Sequence, residues 1–195
     1  MSQNHSLKSN FFEPLRQSLF RHMNTSAIIK LPTPSQKMAG EGYLKFYLGY
    51  ERNPAIFSMQ HVQEVFTLPM QKLTPMPNMP PCMLGLMNHR SRILWVVDLA
   101  LLLQLDRLDT ATQQYNLVVI RVGRLSLALA AQQISGMVWF EEDMIQSPLG
   151  HTSIGLLPYL QGCIWQEEEV SLVLDAAAIS QASTLRNLTP TDSNG

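Results

Sequence analysis

Five consecutive apolar residues, 93–97 (Ile-Leu-Trp-Val-Val), run directly into Asp98 and a leucine tail, and 77 positions later Val170-Ser-Leu-Val-Leu runs into Asp175 and a short alanine-rich stretch. Each run is too short for a buried helix and too rich in β-branched residues to favour one, so each reads as a strand, residues 93–97 covered on both faces. An Asp ahead of Leu99, Leu102 and Leu103, at i, i+3 and i+4, predicts a short helix whose first N–H groups the carboxylate caps. Helix capping outweighs chemistry as the role of Asp98. Two further landmarks repeat in the same order. Gly49, Gly85 and Asp98 are matched by Gly123, Gly162 and Asp175, at displacements of 74, 77 and 77. Two sibling units of short strands predict two small β-barrels packed side by side, an arrangement that removes sheet edges and leaves a groove between the barrels as a binding surface.

The predicted fold is mainly β: two small barrels of short strands at residues 43–110 and 111–182, each closing with a strand, an Asp and a short helix. At 195 residues the chain is long enough for such a core. No apolar run reaches the roughly 18 residues of a membrane span, and the first twenty residues lack a secretory signal. Cys82 and Cys163 read as small buried residues of a cytoplasmic protein rather than as a disulfide. Fourteen basic against fifteen acidic residues, with no cationic cluster, argue against nucleic acid.

Residues 1–42 form a leader. Within it Phe11, Leu15, Leu19 and Met23 stand four apart, the spacing of an amphipathic helix that either packs on its own domain or docks on another protein. Residues 24–42 have linker composition. Period-two alternation then starts at Tyr43 and describes a meander of strands. Residues 68–81 hold five of the twelve prolines and enforce an extended connection, and five of the eleven methionines fall between 70 and 87. Those methionines fit either a partner-binding lip or irregular core filling, the commoner use. Polar residues 106–114 mark a boundary, and residues 183–195 read as a disordered tail.

Groupings that carry chemistry do not emerge. His5, His22, His61, His89 and His151 never stand at metal-ligand spacing, so no metal is expected. There is no phosphate loop and no GxSxG elbow, and Glu167, Glu168 and Glu169 are adjacent rather than paired across a site. Neither catalysis nor a cofactor is expected. Arg90 and Arg92 remain, two apart beside an apolar edge: either surface arginines in a turn or an anchor for a protein partner.

At these residues the sequence resembles the CheW family, adaptors of bacterial chemosensory arrays. The family's FxLGxE strand is matched by Phe46, Leu48, Gly49 and Glu51, its apolar-VxEV segment by Val62, Glu64 and Val65, and its GxxNxRGxxxPVxDL segment by Gly85, Asn88, Arg90, Val96, Asp98 and Leu99. The likeness spans residues 43–182. It implies two SH3-like five-stranded barrels, no enzymatic activity, and a protein that couples methyl-accepting chemotaxis receptors, or a related photoreceptor, to a CheA-type histidine kinase. Such a protein would be cytoplasmic, recruited to membrane receptor arrays without inserting into the membrane. The receptor groove would draw on Val62, Glu64, Val65 and Arg90, with Asn88 shaping the turn, while Gly85, Asp98, Gly162 and Asp175 would be structural. Departures from the pattern are Ser91 for Gly, Trp95 for Pro, Ala100 for Arg, and Ala131-Gln132 for Val-Asp. They leave open a divergent module of the same fold that binds one dedicated partner outside the array.

Overall fold

The computed structural model describes residues 40–109, 111, 113–148, 153–166 and 169–186. The leader helix expected at residues 11–23 and the last nine residues lie outside them. Ten strands form two curled five-stranded sheets: β1 (Glu41–Leu48), β2 (Asn53–Ser58), β3 (Val62–Pro69), β4 (Met83–His89), β5 (Arg92–Asp98), β6 (Gln114–Val122), β7 (Leu125–Ala131), β8 (Gln133–Phe140), β9 (Leu160–Gln166) and β10 (Glu169–Leu174). One sheet has the order β8-β1-β2-β10-β9 and the other β3-β6-β7-β5-β4. Replacing each strand by its counterpart in the other half turns one order into the other, so the duplication is a pseudo-twofold of the fold.

The sheets do not follow the halves. Residues 62–131 build one sheet as a contiguous run, inserted between the two parts, 41–58 and 133–174, that build the other. The boundary expected at 110/111 falls inside the inserted sheet. There the chain crosses from one sheet to the other only at residues 59–61 and at Gln132, and each crossing costs few residues because the sheets lie face to face. The polar stretch expected to separate two barrels runs largely exposed between strands of one sheet, with Leu108 alone of its described residues buried in that sheet's core.

Burial explains the patterning. Tyr43, Ile56, Phe140, Ile164 and Val173 fill the concave side of the split sheet, and Met87, Leu94, Val96, Leu117, Val119 and Ala128 that of the inserted one. Between the sheets lies the largest cluster, including Leu44, Phe46, Leu48, Phe57, Val97, Val118, Leu127, Leu129 and Leu172. Strands such as β5, β6 and β10 are buried on both faces, which is why they read as apolar runs rather than alternating ones. The space expected to be a groove between barrels is at its centre packed core, with Phe46 stacked on Phe57 at 5.4 Å. Ile93 departs from the expectation of a strand covered throughout: it is 72% exposed, because it is the second residue of β5, beside the hairpin tip. The methionines divide, Met83 and Met87 buried and Met76 exposed.

Asp98 and Asp175 each stand at the end of a strand and cap a short helix, α1 (Leu99–Leu102) and α2 (Ala176–Ser180), accepting from Leu101 N at 3.0 Å and Ala178 N at 2.9 Å. A further turn, α3 (Ser183–Arg186), carries Leu185 into the central core, so the polar tail begins later than residue 183. Gly85 and Gly162 also have a common geometry. The connector before each hairpin lies against it, Thr74 bridging Leu86 and Gln146 bridging Cys163, and a Cβ on Gly85 would collide with the Thr74 carbonyl, one on Gly162 with Ile145 and the Gln146 carbonyl. The connectors thereby cover the outer edges of β4 and β9, edges otherwise open to pairing. Both cysteines are buried and unpaired.

Candidate functional site

β3 and β4 are the two outer strands of the inserted sheet, and its curl brings them together. β3 pairs with β6 through a bulge between Val62 and Glu64. A bulge inserts one residue and resets which side chains share a face. Val62 and Val65 therefore both pack, half-buried, against the rim of the central core, while Glu64 and Phe66 face the hairpin that joins β4 to β5. That hairpin turns through Arg90 and Ser91, whose φ values of 49° and 64° are those of a two-residue turn with both central residues left-handed. Ser91, standing where the family has glycine, adopts the left-handed conformation nonetheless.

Three side chains meet here. Glu64 Oε1 accepts from Arg90 Nη2 at 2.9 Å, and Glu64 Oε2 lies 3.0 Å from His89 Nε2. The His89 ring lies on Phe66 with centroids 4.4 Å apart and planes 8° from parallel. Ionised carboxylate is acceptor-only, so the imidazole donates. With its side chain 70% exposed, Arg90 holds its cation at the surface while the carboxylate that fixes it is mostly covered.

Of the residues expected from the sequence, Glu64 and Arg90 come into contact, and Val62 and Val65 lie on the other face of the same strand. Asn88 lies in the strand ahead of the turn rather than within it. It sits in β4 opposite Ile93, exposed, one residue ahead of His89 and so on the opposite face. His89 and Phe66 were not singled out from sequence, although Phe66 stands two residues from Glu64, the spacing that shares a strand face. A separate polar cavity of about 360 Å³ is lined by Tyr50, Arg52, Asp109, Gln132 and Gln133. Among the described residues no three His, Cys, Asp or Glu side chains group as a metal site, and no helix is long and apolar enough to cross a membrane.

A family model for the CheW-like domain matches residues 42–184. The chain belongs to that family. Among solved structures, the scaffolding protein TtCheW from Thermoanaerobacter tengcongensis is similar, with a TM-score of 0.64 and 15% identity over 74% of this chain and 95% of that one. At that identity the likeness speaks for the CheW fold alone. A search of curated proteins gives no match.

Proposed function

We propose that this CheW-like chain is a non-catalytic chemotaxis adaptor that couples a chemoreceptor to a CheA-type histidine kinase, cytoplasmic and recruited to receptor arrays. Membership of the family supports the adaptor role, as does the similarity to a protein described as a scaffold. The observation that carries the receptor contact is Arg90, a cation held at an exposed corner by Glu64 rather than left to wander as a free surface side chain. Val62 and Val65 offer half-buried apolar surface on the other face of β3, so a partner reaching round this outer strand would meet hydrocarbon on one side and the fixed charge on the other. An anchor of this kind concentrates binding energy in few residues.

The test is binding of the full chain to a fragment of a chemoreceptor's cytoplasmic tip and to the kinase, by titration calorimetry. Arg90→Ala should weaken receptor binding by about 2 kcal/mol, roughly 30-fold, and leave the melting temperature almost unchanged. A folded protein that binds neither partner would end the proposal.

A further inference from the structure

The corner contains one side chain that the receptor contact itself does not need. His89 presents its ring to Phe66 and its Nε2 to Glu64, and Glu64 in turn presents its other oxygen to Arg90. A glutamate on its own has several staggered rotamers of similar energy and no reason to aim one oxygen in one direction. Here Oε2 is fixed by an imidazole whose plane is itself fixed by the parallel aromatic face beneath it, and Oε1 is left facing the guanidinium. Exposure grades along the chain of contacts: the side chains of His89 and Glu64 are 24% and 27% exposed, against 70% for Arg90. The covered members hold and the open member is presented. Arg90 needs such a tie, because its backbone is left-handed, a region sparsely used by residues with side chains, and its side chain stands mostly clear of the protein.

The geometry points to His89 as a positioning residue of this corner: through Glu64 it fixes where the Arg90 guanidinium stands for a partner. The inference rests on the receptor reading for its consequence but not for its geometry, and the two separate in experiment. His89→Phe keeps a ring on Phe66 and removes the nitrogen, while His89→Gln removes the ring and can restore a donor. In the full-length protein, modification of Arg90 by phenylglyoxal, followed by mass spectrometry, should run about fivefold faster in His89→Phe than in wild type, the scale of one hydrogen bond's net contribution. His89→Gln should recover part of the protection. Receptor-tip affinity should fall by a similar factor in His89→Phe, with no additional loss when His89→Phe is combined with Arg90→Ala, since the effect travels through the arginine.

If His89 serves only as packing the ranking reverses, Phe matching wild type and Gln failing, and the inference is overturned. It is also overturned if His89→Phe leaves both labelling and affinity unchanged while Arg90→Ala weakens binding, or if the two substitutions add. Faster labelling in His89→Phe with no receptor binding by any variant would uphold the positioning role and remove the receptor reading instead.

Discussion

The hairpin of the inserted sheet and its counterpart in the split sheet join related strands and are charged oppositely in sequence. The first reads His89-Arg90-Ser91-Arg92, and the second, 77 residues on, Gln166-Glu167-Glu168-Glu169. In the inserted sheet a carboxylate on an outer strand, Glu64, ties down an exposed arginine. In the split sheet the strand position related to Glu64 is Gly136, which faces Lys45 across β1 and β8 as Glu64 faces Val119 across β3 and β6. There the hairpin supplies the carboxylate: Glu169 meets Lys45 at 2.7 Å, and the lysine side chain is only 13% exposed. One fold thus keeps an ion pair at both hairpins but presents a cation at one and covers it at the other. The pseudo-symmetry belongs to the backbone of the described strands, and the second hairpin carries no cation in its sequence to match Arg90.

The largest test of that comparison lies in the two close-approach glycines. Gly85 combines a φ of 140° with backbone pressed against its missing Cβ, whereas at Gly162 part of the crowding is the Ile145 side chain, which can move. Gly85→Ala should cost about 3 kcal/mol and Gly162→Ala about 2 in urea unfolding. Equal or reversed costs would show the two hairpin edges to be more alike than the geometry says.

Next come the caps. Asp98 is buried and also accepts from Leu108 N at 3.4 Å, a tether without a counterpart at Asp175 among the described residues. Asp98→Ala should therefore cost about 2 kcal/mol, the cap plus one stranded buried N–H, and Asp175→Ala about 1. Burial raises the Asp98 carboxyl above its ordinary range, against the opposing pull of backbone N–H groups and Arg107. The folded protein then holds that proton more tightly than the unfolded chain, so the group's contribution falls as pH rises from the unfolded value, near 4, through the folded one. Stability of Asp98→Asn relative to wild type should move in the variant's favour over that range and then level off. A drift in the other direction would contradict the assigned shift.

Lys45→Met should cost about 1 kcal/mol, since it strips the partner from a partly covered Glu169. The same substitution should leave receptor binding untouched if only the basic corner recognises it. Smallest of all, Ser91→Gly relieves a left-handed serine and should stabilise the protein by about 0.5 kcal/mol after the added freedom of the unfolded chain is counted. A loss of stability there would mean that the Ser91 side chain does something at the tip which the turn geometry does not require.

Much of the fold was legible because local chemistry fixes it. Asp98 and Asp175 cap helices because a carboxylate followed by an apolar i, i+3, i+4 pattern has few better uses. Doubly buried strands announced themselves as unbroken apolar runs, save Ile93, whose position at a hairpin tip depends on where the preceding turn ends. Glu64 and Arg90 were legible as residues through the resemblance. Their contact was not, because it joins outer strands 26 positions apart in sequence through the curl of a sheet. His89 escaped notice for the same reason: its worth comes from Phe66 beneath it. Asn88 was assigned to the turn from its place in a motif, but strand pairing continues one residue further and turns it outward.

Taken alone, the sequence determined that this chain makes two related sets of short strands and where each set ends in a cap. Those are consequences of residue type and spacing acting within one element or between neighbours. Tertiary structure decided how the ten strands were shared out. Two contiguous barrels and one barrel inserted into another have the same strand order along the chain and the same apolar patterning, and they differ only in which faces meet. That choice falls to the packing of the central core, where side chains from 41–58 and 133–174 close on those from 62–131, and no local signal records it.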